Sequence, residues 1–435
     1  MIRFHSSLSS GSFCDGLSRR DFLMIGSAGV AGLTLPNLLR AEAAAGARAT
    51  GKSVINIFLS GGPTHMDTFD LKPEAPKEFR GEFSPIATKS SGMDICELMP
   101  RLASHGDKFS LIRSIVGLSN EHAPTQSDSG WSQKELKDMG GHPGLGAVMS
   151  KLIGPACQTP NGTAPTSIDL TGWTKPGFLG QVHSAYRPDS IGRQNLMLNS
   201  RVTEERFGER NHLLEGFDRM RSTIDRQGMM EAIDSFSERA VGIITSGDVA
   251  TALDVNKESD SVKERYNIKR DRDGQNFLLA RRLIDVGVRN VAFAIGGWDT
   301  HGKNFDAMRK KLPSLDNGLA CLMEDLENSG RLDDTIIMLS GEFGRTPRIN
   351  RNAGRDHWPQ AGFFFLGGGG FRHGQVIGST NRLGERAEDR PVHLQEVFTT
   401  IYHQLGINPD LVTLQDPNGR PQFLTNHRDV IHELI

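Results

Sequence analysis

Residues 54–63 read VINIFLSGGP, a short apolar and β-branched run that ends in a serine, two glycines and a proline. This pattern predicts a buried β-strand that opens into a loop at its carboxyl end. The first polar side chains suited to chemistry, His65 and Asp67, follow directly after that loop begins. The run therefore indicates a sheet that is buried on both faces, and it places the expected site at the carboxyl end of this strand.

Four further runs have the same character, and they lie at residues 111–116, 288–295, 335–339 and 363–366. Residues 305–326 and 394–405 carry apolar side chains at alternating spacings of three and four, which predicts two amphipathic helices. Strands that alternate with helices in this way favour a parallel sheet. We therefore predict an α/β fold with a mainly parallel central sheet and helices on both faces.

Residues 200–270 differ from the rest because they are rich in charge and in helix formers and contain no strand-like run. We expect them to form a helical insertion or cap. The chain is long enough for one large domain with insertions or for two ordinary domains. Because no obvious linker divides residues 46–435, we predict a single domain there.

The N-terminus pairs Arg19 with Arg20 directly before a mild apolar run at residues 24–35, and Ala41-Glu42-Ala43 follows as a small-residue cleavage site. This order predicts a twin-arginine signal peptide over residues 1–45 and export to the periplasm or beyond. An arginine pair before an ordinary first helix is the alternative. The apolar run is shorter than the roughly 20 residues of a spanning helix, so we expect no permanent membrane anchor.

The charges and cysteines argue against a nucleic-acid-binding protein and against a cysteine-based zinc or disulfide scaffold. The net charge is -2, with lysine and arginine scattered along the chain, so there is no basic field to attract nucleic acid. Outside the signal segment, Cys96, Cys157 and Cys321 are too widely spaced for a zinc-binding cysteine pattern or a disulfide framework. At most one disulfide is expected.

Side chains of the metal-binding type follow the predicted strands. His65 and Asp67 follow the first strand, Asp299 and His301 follow residues 288–295, and Glu342 follows residues 335–339. Asp356 and His357 come later, in the loop before residues 363–366. Because binding crevices form at the carboxyl ends of parallel strands, we expect these groups to converge. Oxygen and imidazole ligands without thiolates suit zinc, manganese, magnesium or calcium in a hydrolytic site.

Each group also has a structural explanation. Asp67 could cap a turn, Asp299 could cap the next helix, and Glu342 could form a solvated ion pair with Arg345. The segment at residues 354–358 brings a cation, an acid, an imidazole and an indole together within five residues. Its structural explanation is an indole stacked on the guanidinium of Arg355.

Three segments carry a resemblance to a known family: residues 58–70, residues 297–301, and residues 340–347 running into 354–358. Over nearly all of the mature chain, the sequence resembles the exported family catalogued as domain of unknown function 1501. That family is itself similar to the alkaline phosphatase and sulfatase superfamily. The resemblance implies an alkaline-phosphatase-like fold.

The resemblance also implies ligand roles. It places Asp67 as the first metal carboxylate, Asp299 and His301 as a mid-chain acid and histidine pair, and His357 as a late histidine ligand. Asp356 stands beside His357 as a ligand or as its orienting partner. The pair Glu342-Phe343 departs from the family pattern, because an Asp-His pair is expected there, and this leaves one imidazole fewer for a two-metal site.

The nucleophile departs further from the superfamily pattern. His122 stands where a serine, threonine or modified cysteine is expected, and Thr125 and Ser127 are the nearest hydroxyls. A histidine there could form a phosphoryl intermediate, act as a base or bind metal, or its presence could mean that hydrolysis has been lost. These alternatives stay open at the level of sequence.

The expected function is that of an exported metal-dependent hydrolase of phosphate or sulfate esters, with zinc as the first choice of metal. Its substrate would be an anionic ester, such as one linked to carbohydrate, and its export partner would be the twin-arginine machinery. We expect Arg345 or Arg355 to bind the anionic group and Trp298 to contact substrate. The alternative is a metal-binding or assembly protein that keeps the fold without catalysis.

Overall fold

Strand β1, Ser53–Leu59, is buried along its whole length because the sheet that contains it is covered on both faces. The computed structural model describes residues 50–154, 156–188 and 247–435. The predicted signal segment at residues 1–45 and residues 200–246 of the predicted insertion lie outside the described residues. The single-domain prediction for residues 46–435 therefore stays a prediction.

Seven strands form the central sheet. In chain order they are β1, β2 (Phe109–Ile112), β3 (Ser167–Asp169), β4 (Asn290–Ile295), β5 (Thr335–Ser340), β6 (Phe364–Gly368) and β7 (Val376–Ile377). Across the sheet their order is β7-β2-β6-β5-β1-β4-β3. Strand β1 pairs in parallel with β5 and with β4, so that Ile57 lies beside Leu339 on one side and Phe293 on the other.

Strand β6 alone among these seven runs antiparallel to its neighbours β5 and β2. The prediction of a mainly parallel sheet is confirmed, and four of the five predicted strands keep their places within two residues. The run at 111–116 is an exception, because β2 ends at Ile112 and Ile115–Val116 leaves the sheet to pair with Val392–His393. Strands β3 and β7 were not predicted, since they are too short to show a hydrophobic pattern.

The described helices of five residues or more are α1 (Thr125–Ser129), α2 (Leu145–Ile153), α3 (Asp248–Leu253), α4 (Asp260–Arg265), α5 (Arg272–Asp285), α6 (Asn304–Asn328) and α7 (Leu394–Gln404). The predicted helices at 305–326 and 394–405 correspond to α6 and α7. Within the described part of the predicted insertion, α3 and α4 are helical as expected. No described helix is both long and apolar enough to cross a membrane.

Short elements complete the described chain. Two four-residue helices lie at Lys77–Arg80 and Pro100–Ala103. Two-stranded ribbons join Pro85–Ala87 to Asp94–Cys96, Ala156–Thr159 to Gly162–Pro165, Gly344–Arg345 to His357–Trp358, Ser379–Thr380 to Ala387–Asp389, and Thr413–Gln415 to Pro421–Phe423. Cys96, Cys157 and Cys321 are free thiols.

Alternate side chains of β1 face two separate cores. Ile55 and Ile57 belong to the core that includes the buried faces of α5 and α6. Val54 faces the opposite core, which includes Val148 of α2 and Phe398 of α7. Helices therefore cover both faces, as predicted, and the loops that follow the carboxyl ends of the parallel strands lie at one edge of the sheet.

The contact between α5 and α6 is close enough to exclude a methyl group at Gly318. A Cβ atom on Gly318 would lie 2.2 Å from Cδ2 of Phe277. Replacing glycine by alanine in a helix normally raises stability by about 1 kcal/mol. We expect Gly318→Ala instead to lower the free energy of unfolding in urea by about 1–2 kcal/mol, because overpacking outweighs the helix propensity.

Lys310→Ala is the matched control, because Lys310 is exposed on the same helix. Its free energy of unfolding should stay within about 0.5 kcal/mol of the parent. A Gly318→Ala protein as stable as the parent would contradict the tight packing.

Candidate functional site

Four polar side chains from three distant segments meet beyond the carboxyl ends of β4 and β5. Asp299 and His301 lie in the loop between β4 and α6, and His122 lies in the loop before α1. His357 begins the second strand of a short ribbon in which Arg345 is its partner. The topology thus produces the convergence that was predicted for Asp299, His301 and His357, and it adds His122 to the group.

The ligand-type atoms of this cluster lie close together. Nε2 of His357 is 2.9 Å from Nε2 of His122 and 3.1 Å from Nε2 of His301. Oδ1 of Asp299 is 3.0 Å from Nε2 of His301, 3.3 Å from that of His357 and 3.7 Å from that of His122. His122, Asp299 and His357 offer atoms that all lie within 4.8 Å of one another. Two ligand triads thus share Asp299 and His357.

The opposite nitrogen of each imidazole has its own oxygen partner. Nδ1 of His301 is 2.7 Å from Oδ1 of Asp356, and Nδ1 of His357 is 3.0 Å from Oδ1 of Asn120. Nδ1 of His122 lies 3.6 Å from Oε1 of Glu342, at ion-pair distance. A proton on Nδ1 of His301 and of His357 satisfies the contacts with Asp356 and Asn120, and in that tautomer both Nε2 atoms offer a lone pair to a cation.

The protonation of the cluster also favours a cation. Burial lowers the pKa of His357, and the neighbouring Arg345 guanidinium acts in the same direction, so this imidazole is neutral at pH 7. Partial burial would raise the pKa of Asp299, but the hydrogen bond and charge of Arg345 outweigh it, and the pKa lies below its usual range. The hydrogen bond from His301 lowers the pKa of Asp356. A carboxylate beside a neutral imidazole is the protonation state that binds a divalent metal.

The cluster is open on one side. The side chains of Asp299 and His301 are each 47% exposed, that of His122 is 41% exposed and that of His357 is 23% exposed. On the protein side, the ring of Phe343 lies 4.5 Å from the ring of His357 and 5.2 Å from that of His122. Phe343 thus forms an apolar floor on the protein side, and the four side chains of the cluster are partly exposed on the other side.

Arg345 is a positioning residue and does not face substrate. Its guanidinium is fully buried, and it donates to the carbonyl oxygens of Gly62 and Arg355 at 2.8 and 3.0 Å, and also to that of Gly61. One Nη also donates to Oδ1 of Asp299 at 2.5 Å. The predicted catalytic contact with an anionic group is therefore corrected: Arg345 fixes the carboxylate of Asp299.

Glu342 lies behind the cluster. Its carboxylate accepts hydrogen bonds from the main-chain N–H groups of Gly61 and Gly62 at 2.7–3.0 Å. Burial raises the pKa of Glu342. Because its oxygens are occupied in this way, we reassign Glu342 from direct metal ligand to the group that orients His122.

Asp67 and Arg355 form a buried ion pair away from the four ligand-type atoms. Nε and Nη2 of Arg355 donate to Oδ2 and Oδ1 of Asp67 at 2.7 and 3.1 Å. The Thr64 hydroxyl and the Asn304 amide donate to Oδ2, both at 2.8 Å. With both oxygens occupied, Asp67 is reassigned from metal ligand to a structural partner. Arg355, which is fully buried, is likewise reassigned from substrate binding.

His65, Trp298 and Thr125 also fall outside the cluster. His65 is fully buried, its Nε2 bonds to the carbonyl of Gly384, and burial lowers its pKa. Trp298 is buried in the core below α6, so the predicted substrate contact is corrected. Thr125 is the first residue of α1 and is not hydrogen-bonded to the ligand-type atoms within the described chain. Ser127, also in α1, is buried.

Asn120 is the site residue that sequence reasoning missed. Asparagine is common in loops, and nothing in the sequence around residue 120 marks it as the partner of a histidine 237 positions away. Its proximity to His122 was the only available signal. The structure therefore adds Asn120, and it separates the predicted group into ligand-type residues and residues that hold them.

The family model described as "Protein of unknown function (DUF1501)" matches residues 51–435, so the chain belongs to this family. The resemblance stated from the sequence motifs is thereby confirmed. No curated protein sequence matches the chain.

Two solved structures with a similar fold are those of a lipoteichoic acid synthase and a sulfatase. The lipoteichoic acid synthase LtaP from Listeria monocytogenes is 11% identical, with 82% of this chain and 73% of that chain covered and a TM-score of 0.34. The PsFucS1 sulfatase from Pseudoalteromonas sp. is 12% identical, with 89% and 72% covered and a TM-score of 0.37. At these scores no site residue is transferred from either structure.

The reassignment of Asp67 predicts opposite phenotypes for two carboxylates. Asp67→Asn leaves the guanidinium of Arg355 buried without its anion, so we expect the free energy of unfolding to fall by about 3–5 kcal/mol. The zinc that each folded molecule takes up from solution should match that of the parent. Asp299→Asn should show the reverse pattern, with lost zinc and a smaller change in the stability of the metal-free protein.

Urea unfolding of the metal-free proteins and elemental analysis of the folded fractions measure both effects. An Asp67→Asn protein that loses its zinc but keeps its stability would restore Asp67 as a ligand.

Proposed function

We propose that this protein is an exported, divalent-metal-dependent hydrolase of phosphate or sulfate esters, with metal bound at His122, Asp299, His301 and His357. The metal assignment rests on the convergence of three imidazole Nε2 atoms on one carboxylate oxygen. With both protons on Nδ1, the Nε2 atoms of His301 and His357 lie 3.1 Å apart and offer their lone pairs to one cation.

The donor set favours zinc over the alternatives. Imidazole nitrogens with one carboxylate and no thiolate suit Zn²⁺, whereas Ca²⁺ and Mg²⁺ prefer oxygen ligands. Zinc bonds of 2.0–2.1 Å in a tetrahedral site place neighbouring ligand atoms about 3.3 Å apart. The separations within each triad, formed by Asp299 and His357 with either His122 or His301, are 2.9–3.7 Å and bracket that value. Manganese remains the next candidate.

The surroundings of the site support hydrolysis. A bound divalent metal would lower the pKa of a water molecule and neutralise the charge that develops on an ester oxygen. The protein holds Asp299 through Arg345 and His301 through Asp356, which fixes the ligands before substrate arrives. The exposed side of Asp299 and His301 admits the ester, and Phe343 excludes water from the opposite side.

A second candidate function is metal binding without catalysis. Within the described residues, no serine, threonine or cysteine side chain is hydrogen-bonded to the four ligand-type atoms, and His122 sits among the ligands instead of supplying a hydroxyl. A reaction here would therefore have to use water as the nucleophile. If water is not activated, the same geometry serves only to hold a metal.

Hydrolysis of aryl phosphate and aryl sulfate by the zinc-loaded mature protein separates the two candidates. We expect turnover of one of these esters, its loss on chelation, and its recovery on adding zinc. His301→Ala should reduce kcat/KM at least 100-fold because a ligand is lost. Asp356→Asn should weaken zinc binding about 10- to 100-fold because the orientation of His301 is lost.

Asp306→Asn is the matched control. Its carboxylate is exposed near the start of α6 and pairs only with Arg309 among the described residues, so zinc affinity and turnover should be unchanged. Zinc bound at full occupancy without cleavage of either ester would favour the non-catalytic candidate.

Export is the part of the proposal that rests on the sequence alone. Arg19 and Arg20 precede the short apolar run, and the twin-arginine route carries folded proteins, which suits a metal site assembled from distant loops. We expect the Arg19→Lys, Arg20→Lys double variant to remain in the cytoplasm at full length. Arg3→Lys, outside the pair, should be exported and shortened like the parent, and an unchanged location of the double variant would contradict the proposal.

A further inference from the structure

A polar cleft of about 470 Å³ lies beside the metal-binding loop, between the chain that enters α5 and the first half of α6. Asn267, Arg270, Asp271 and Asp273 line one wall, and Lys310 and Lys311 line the other. They differ from the metal cluster in carrying both cationic and acidic groups.

Several charges in the cleft have no partner. Within the described residues, Arg270, Lys310 and Asp273 form no ion pair, and no side-chain hydrogen bond involves Arg270 or Lys310. Burial and the neighbouring Asp271 raise the pKa of Asp273. The cleft therefore presents two free cations together with a carboxyl group that can bond to a hydroxyl.

Lys311 joins the cleft to the metal-binding loop. Its Nζ donates to the carbonyl oxygen of Gly296 at 2.6 Å and lies over the ring of Trp298, 5.6 Å from the ring centre. Gly297 has a φ of +82°, and a Cβ atom there would lie 2.8 Å from Nζ of Lys311. The positive φ favours glycine at 297.

Gly296 and Gly297 form an exposed stretch without side chains between the cleft and Asp299, which we call the glycine floor. Both are exposed, and a Cβ atom on Gly296 would meet nothing within 4 Å. From Gly296 to Asp299 the chain spans at most about 10 Å, at roughly 3.3–3.6 Å per residue. Because the two regions lie this close along the chain, one extended ligand can contact both of them.

We propose that the cleft and the glycine floor form a subsite for an anionic polysaccharide whose ester group lies at the metal cluster. Arg270 and Lys310 would bind a second sulfate or phosphate group on the chain, and Asp273 would accept a sugar hydroxyl. A ligand with charge alone would be repelled by Asp271 and Asp273, which favours a chain that also carries hydroxyls. The cleavage of the ester rests on the proposed function, but the binding of the chain does not.

Calorimetric titration of the zinc-loaded mature protein with dextran sulfate tests the subsite. We expect binding that weakens as salt is raised, and no binding of neutral dextran. The double variant Arg270→Glu, Lys310→Glu should weaken dextran sulfate binding at least 10-fold and leave kcat/KM for a small aryl ester unchanged. Lys151→Glu, at an exposed lysine of α2, is the matched control and should bind within twofold of the parent.

Gly296→Leu tests the floor without changing a charge. It should weaken dextran sulfate binding, because the side chain would occupy the open space between cleft and cluster. Long-chain polyphosphate and a single-stranded oligodeoxynucleotide of equal charge should bind more weakly than dextran sulfate.

Three outcomes would overturn the proposal: unchanged binding in the double variant, unchanged binding in Gly296→Leu, or an oligonucleotide that binds as tightly as dextran sulfate. If dextran sulfate binding depends on Arg270 and Lys310 while no aryl ester is cleaved, the subsite stands and the hydrolase function fails.

Discussion

The buried guanidinium of Arg345 is the contact on which the site depends. It bonds to the carbonyls of the loop after β1, to the carbonyl of Arg355 and to the carboxylate of Asp299. A cation without solvent is costly unless every donor finds an acceptor, so these loops are held in one arrangement. The ion pair of Arg355 with Asp67 forms a second buried layer beneath it. The exposed side chain of Asp299 is therefore held in place by buried charged groups beneath it.

The fold was largely predictable because its central strands are buried on both faces. Such strands appear as continuous apolar runs, and β1, β4 and β5 were located from them within two residues. The antiparallel direction of β6 was not predictable, because an apolar run does not show in which direction a strand crosses the sheet. The break after Ile112 depends on a pairing with Val392, nearly 280 residues away, which no local pattern reveals.

The sequence predicted which residues gather at the candidate site. It did not predict which of them offer free ligand atoms and which hold the others in place. Asp299, His301 and His357 share their edge of the sheet because of the topology, and the strands alone predicted this. Asp67 and Glu342 lie close in sequence to that edge and have the right chemistry. Their oxygens, however, are taken by Arg355 and by main-chain N–H groups, and only the folded structure shows those partners.

Zinc K-edge X-ray absorption of the zinc-loaded mature protein tests the metal centre most directly. The geometry predicts a first shell of nitrogen and oxygen atoms at about 2.0–2.1 Å, with no sulfur. It also predicts outer-shell scattering from at least two imidazole rings, which should fall by one ring in His357→Ala. A zinc ion with oxygen ligands and no imidazole scattering would contradict binding at His122, Asp299, His301 and His357.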